Sequence, residues 1–85
     1  MAETDINKIL VNGAQIALEQ LKRARSHDSL MFHYAEISVY LEVSLSQGAG
    51  ISHWSQEALQ DMFAEAAQVL MERSRQLRVQ PHVGA

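Results

Sequence analysis

The fold depends on the central stretch of the chain, residues 30–45, which reads LMFHYAEISVYLEVSL. Five of its apolar residues recur at steps of three or four, as on one face of a helix: Leu30, Tyr34, Ile37, Leu41 and Leu45. From residue 37 to residue 46, apolar and polar side chains also alternate, which is a strand pattern. A strand needs a neighbour, and the only other alternating run is the short one at residues 77–80. The stretch therefore predicts a helix, with a strand paired to its own copy in a second chain as the alternative.

The segment before this stretch predicts a helix over about residues 4–26. Thr4 can act as its N-cap, and basic residues gather at its end, where they complement the helix dipole. Its apolar face is wider than one neighbouring helix requires, so we expect it to contact two elements. Small residues on that face, which allow another backbone to approach closely, are Gly13, Ala14 and Ala17.

Two further helices are expected at about residues 29–47 and 55–77. Asp28 or Ser29 can cap the first of these, and Gly48 can end it in the left-handed conformation. Ser55 is the expected N-cap of the other, with Trp54 packing back onto Leu59. A heptad seam follows, widened by Met62, Val69 and Met71, and its members are Leu59, Phe63, Ala66, Leu70, Arg73 and Leu77.

Length and composition limit the fold class. A chain of 85 residues with 47% apolar and 20% charged side chains is typical of one folded domain. We predict an all-α domain over residues 1–78, either a three-helix domain or a helical hairpin with an extra helix, followed by a flexible tail at residues 79–85. Because the chain has no Cys, no disulfide or thiolate zinc site supports this small core. The wide apolar faces of the first two helices therefore predict a homodimer.

Residue types that carry catalysis or bind metals are present in unsuitable spacings. His27, His33 and Glu36 have suitable ligand atoms, but the two His residues lack the i, i+4 spacing of helical zinc sites. The side chains of three consecutive residues, Ser26, His27 and Asp28, point apart and cannot form a catalytic triad. The sequence predicts no enzyme, no metal site and no cofactor, and a small-ligand or metal-binding protein using the two His residues and Glu36 is an alternative.

Charge argues against a general nucleic-acid-binding role. The net charge is −3, from ten acidic and seven Lys or Arg residues, whereas nucleic-acid binding needs a basic surplus. The basic residues form two clusters, at residues 22–27 and 73–78, which complement the ends of two helices and, on a shared surface, could meet an acidic partner. A dimeric DNA-binding regulator, with a two-fold ribbon from residues 37–45, is a further alternative.

The apolar residues of the central helix occupy two opposite sides. Phe32, Val39 and Val43 lie opposite the stripe defined by Leu30 and Ile37. Interfaces are enriched in aromatic and Met side chains. The residues expected to bind a partner protein are Met31, Phe32, Val39, Val43 and Trp54.

The predicted function is that of a non-enzymatic protein-interaction module. In size and composition the chain resembles small bacterial adaptors, secretion chaperones and phage-encoded inhibitors, although it shares no motif with them. The acidic start and the lack of an apolar segment of about 18 residues predict a cytoplasmic protein without a membrane partner.

Overall fold

The computed structural model describes residues 5–46 and 50–79, which form three α-helices. These are α1 (Ile6–Lys22), α2 (His27–Ser44) and α3 (His53–Val79). Every pair of helices is in contact. The predicted all-α, three-helix fold is confirmed, and the strand alternative for residues 37–45 is wrong because α2 includes residues 37–44. The two-fold ribbon required by the DNA-binding alternative is therefore not formed.

Contacts at both ends of the bundle show that α1 and α3 run in the same direction. Near their beginnings, the backbone N–H of Ser52 donates to Asn7 Oδ1 at 2.7 Å. Near the end of α1, Lys22 Nζ lies 3.0 Å from Glu65 Oε2 on α3, and Arg73 donates to the carbonyl of Ala24. The α2 helix returns between them, so the topology is up, down, up. The expectation that the first helix contacts two elements is confirmed.

The N-caps differ from the predicted ones. Thr4 lies outside the described residues, and Asp5 caps α1 by accepting a hydrogen bond from the Asn7 N–H. Ser26 rather than Asp28 or Ser29 caps α2, because its Oγ accepts from the Ser29 N–H at 3.1 Å. Gly48, predicted to end this helix, and residues 80–85 of the predicted tail also lie outside the described residues.

The third helix begins two residues before the expected N-cap. Ser52 immediately precedes it, and Ser52 Oγ accepts from the Ser55 N–H at 3.3 Å, the geometry of an N-cap. The predicted cap, Ser55, is instead a buried residue inside the helix. The predicted packing of Trp54 onto Leu59 is wrong as well. Trp54 lies within the helix, five residues before Leu59, and therefore points to a different side.

The core lies where the three helices meet. It is formed mostly by Leu and Ala, with contributions from every helix: Leu10, Ala14, Ala17, Leu18, Leu21, Ala24, Leu30, Ile37, Leu59, Met62 and Ala66. Phe63, Leu70 and Leu77 of the predicted seam pack against it while partly exposed. The prediction that Leu45 and Met71 belong to the core is wrong. Leu45 is 58% exposed because α2 ends before it, and Met71 is 73% exposed on the outer side of α3.

A glycine of α1 faces an aromatic side chain of α2. A Cβ placed on Gly13 would lie 2.6 Å from Cζ of the Tyr40 ring, which is much shorter than a van der Waals contact. The small residue therefore makes room for an aromatic side chain, rather than for another backbone as the sequence had suggested.

We expect the effect of Gly13→Ala to depend on the size of residue 40. In the wild type, the added methyl group must displace the Tyr40 ring, which opposes the gain in helix propensity of about 1 kcal/mol. In a Tyr40→Leu background, which lacks the far end of the ring, the same change should raise the free energy of unfolding. Urea denaturation of the four proteins measures the coupling. Equal effects of Gly13→Ala in both backgrounds would contradict the contact.

Candidate partner-binding surface

The two sides of α2 differ sharply in exposure. Leu30 and Ile37, one heptad apart, are completely buried. Phe32 and Val39, each two residues further on, are 62% and 53% exposed. Two residues correspond to a rotation of about 200° around a helix, so these pairs lie on opposite sides. The sequence correctly places this second apolar side away from the core.

We define the outer face of α2 as Phe32, Ala35, Val39 and Val43, with Met31 at its edge. All five side chains are exposed, and the three large ones on the face are spaced i, i+7 and i+11. Ala35 lies between them and is not among the predicted residues, because its small side chain contributes little to an apolar pattern. Trp54, the remaining predicted residue, is exposed on the first turn of α3.

Acidic residues surround this apolar face. Asp28 and Glu36 lie one turn before and one turn after Phe32, and Glu42 lies one turn after Val39. From Ser26 to Glu72 the sequence contains no Lys or Arg and seven acidic residues: Asp28, Glu36, Glu42, Glu57, Asp61, Glu65 and Glu72. The net charge and the two basic clusters alone do not reveal this long acidic stretch between them.

The two predicted basic clusters lie at one end of the bundle. Their positions follow from the shared direction of α1 and α3, and Arg73 touches the carbonyl of Ala24 directly. Arg73 also donates to Gln76 Oε1 at 2.7 Å. This member of the predicted heptad seam therefore uses its guanidinium to bind the backbone just after α1 rather than to pack in an apolar contact. Lys22 is paired with Glu65, whereas Arg23 and Arg25 are exposed.

The Lys22 and Glu65 pair has a defined pH dependence. The hydrogen bond from Lys22 to Glu65 raises the pKa of the amino group above its ordinary value of 10.5, despite a smaller opposing effect of desolvation. Because the pKa of Lys22 is raised in the folded state, the protonated amino group stabilises the fold, and this stabilisation is fully present at neutral pH. The contribution of the Lys22 amino group is lost as the pH rises through that raised pKa.

The candidate metal ligands do not converge. His33 Nδ1 lies 2.7 Å from Glu36 Oε1, while His27 is an exposed residue in the first turn of α2. Across the described ranges, 5–46 and 50–79, no group of three or more His, Asp or Glu side chains is arranged to hold a metal ion. Ser26 Oγ is engaged in capping α2.

One open concavity of about 640 Å³ runs along the last third of α3. Its described lining residues, which include Leu70, Met71, Arg75 and Arg78, all belong to that helix. Ligand pockets usually enclose most of the ligand surface. Without a second wall from the described residues, this concavity does not form such a site.

No protein-family model matches the chain, and comparison with curated proteins and with solved structures gives no match either. Within the described part of the chain, no helix is both long enough and apolar enough to cross a membrane.

Proposed function

We propose that this protein is a non-enzymatic interaction module that binds a helical segment of another protein on the outer face of α2. The observation that carries the proposal is the exposure of Phe32 and Val39 in a helix whose opposite side is already buried. A three-helix bundle needs one apolar side of each helix for its core. The second side of α2 contributes nothing to this core and is available for an intermolecular contact.

The shape and charge of the face favour a helix from a different protein. An apolar row with i, i+7 and i+11 spacing suits a helix that places its own apolar residues against it. Pairing of the face with itself would bring Glu36 and Glu42 close to the acidic residues of the second copy, and like charges oppose such contacts. An adaptor, chaperone or inhibitor would use a surface of this kind.

The test compares capture of cellular proteins by three purified variants. We expect a partner to be retained by the wild type and by Met71→Ser, which removes an apolar side chain of α3 that is 73% exposed, and to be lost by Phe32→Ser/Val39→Ser. Circular dichroism must show equal helix content for all three. The retained protein is then purified and its affinity measured with each variant. Equal affinity for the double variant would reject the outer face of α2 as the binding surface.

We also propose that the functional unit is a homodimer formed through α1. Ile9 and Ile16, one heptad apart on α1, are 47% and 60% exposed. Asp5 and Arg23, both exposed, flank these residues at opposite ends of the same side. In an antiparallel pair of α1 helices, Asp5 would face Arg23 of the partner subunit, so this side is complementary to its own copy.

Light scattering tests the dimer independently of the partner. The expected mass is twice 9.5 kDa at micromolar concentration, and Ile16→Glu should reduce it to that of one chain. Val39→Ser, on α2, should leave the dimer intact. A mass near 9.5 kDa for the wild type across the whole concentration range would reject the dimer. The cytoplasmic location expected from the sequence stays a prediction.

A further inference from the structure

We infer that the segment bound by the outer face of α2 is a cationic amphipathic helix, with Lys or Arg on both sides of its apolar row. This inference rests on the proposed function and specifies the chemistry of the partner. The acidic residues next to the apolar row, which also oppose pairing of the face with itself, select the charge of the partner helix.

The acidic residues are placed where a docked helix would meet them. On a helix surface, side chains three and four residues apart are neighbours. Asp28 and Glu36 are each four residues from Phe32, and Glu36 and Glu42 are each three residues from Val39. Among the residues of α2 that lie three or four positions from Phe32 or Val39, the acidic and basic side chains are therefore all carboxylates.

Two of these carboxylates are available to a partner. Glu42 is exposed, and the structure gives it no ion pair among the described residues. Glu36 is partly exposed and is held by His33 at 2.7 Å, which fixes its position beside Val39. The His33 and Phe32 rings in turn lie nearly perpendicular to each other, with their centroids 5.2 Å apart. Apolar and acidic groups thus form one continuous surface at this point.

A cationic helix satisfies both parts of this surface. Its apolar residues would cover Phe32, Val39 and Val43, and the long side chains of its Lys or Arg residues would reach the carboxylates. A polyanion such as nucleic acid would meet the same carboxylates and be repelled. The last turns of α3 themselves resemble such a cationic helix, because the exposed Met71 is followed by Arg75 and Arg78 one and two turns later.

The test uses two synthetic helical peptides of about five turns, identical in their row of Leu and carrying either Lys or Glu on both sides. Fluorescence anisotropy measures the affinity of each peptide for the purified protein. We expect the Lys peptide to bind and the Glu peptide not to bind. Glu36→Gln/Glu42→Gln should weaken binding of the Lys peptide by about tenfold, and raising the salt from about 0.05 to about 0.5 M should weaken it as well.

A matched variant separates a local effect from a change in net charge. Glu57→Gln/Asp61→Gln removes the same number of charges from the exposed side of α3. This variant should change the affinity for the Lys peptide by less than about twofold. Equal losses in the two charge variants, or equal binding of both peptides, would reject the cationic partner. So would light scattering in which Phe32→Ser/Val39→Ser and Arg75→Gln/Arg78→Gln each reduce the mass to that of one chain, because a second copy would then be the occupant of the face.

Failure of the inference and failure of the proposed function give different results. If Phe32→Ser/Val39→Ser abolishes binding of both peptides while the charge variants do not affect it, the face binds helices without selecting their charge. The inference is then wrong and the proposed function stands. If the Lys peptide binds the Phe32→Ser/Val39→Ser variant as tightly as the wild type, the outer face of α2 is not the site, and both are wrong.

Discussion

Ile37→Glu is expected to unfold the protein, whereas Val39→Glu should leave its helices intact. Ile37 is completely buried in the core, and burial of an unpaired carboxylate costs several kcal/mol. A domain of this size has a total stability of roughly 4 to 13 kcal/mol, so most or all of it would be lost. Val39 lies on the outer face of α2, where a carboxylate remains in water. Circular dichroism and thermal denaturation measure the difference.

The same pair of variants distinguishes a helix from a strand. Residues 37 and 39 lie on opposite sides of a helix but on the same side of a strand. Unfolding of both variants to the same extent would contradict the helical assignment of α2. Val39→Gln provides a control with the same shape as the glutamate and no charge, and should also remain folded.

Leu59→Ala should lower the free energy of unfolding by about 2 to 5 kcal/mol, the range for a Leu removed from a close-packed core. Leu59 is completely buried among residues from all three helices. Leu70, in the same seam, is partly exposed at the edge of the core, so Leu70→Ala should cost distinctly less. Chemical denaturation of both variants gives the two values.

Met71→Ala is the control for the two core substitutions. Met71 follows Leu70 directly but is 73% exposed, so its truncation should change stability by less than about 0.5 kcal/mol. A loss at Met71 as large as that at Leu59 would show that the outer side of α3 is also packed, either in the monomer or in an assembly.

Local sequence patterns were sufficient to predict three helices but not the residues at which they begin. Four consecutive residues, Ser26 to Ser29, include three possible caps, and the selection of Ser26 depends on which oxygen reaches the Ser29 N–H. The start of α3 depends on a contact across the bundle, because Asn7 binds the backbone of Ser52. No local pattern contains a contact between residues 45 positions apart.

Periodicity also gave an incomplete account of the core. It favoured Leu45 and Met71, which are exposed, and passed over Ser44, which is buried. Ser44 can be buried because its hydroxyl donates to the carbonyl of Leu41 at 2.6 Å and its own carbonyl accepts from Gln56 at 3.0 Å. A hydrophobicity pattern treats such a residue as polar and places it in water.

The candidate surface was predicted more completely than the core. Its large residues are apolar on the side of α2 opposite the core stripe, and this relation depends only on helix geometry. The acidic residues beside them were equally visible in the sequence, but their significance depends on knowing that residues 30–44 form a helix. Only then do Glu36 and Glu42 lie next to Val39.

The parallel arrangement of α1 and α3 bears on the order in which the protein folds. The contacts that join these helices, between Asn7 and Ser52 and between Ala24 and Arg73, close loops of 45 and 49 residues. Contacts of α2 with each neighbour, through short connections, close smaller loops and cost less chain entropy. We therefore expect the contacts between α1 and α3 to form after the folding transition state. Weakening them should accelerate unfolding and leave the folding rate nearly unchanged.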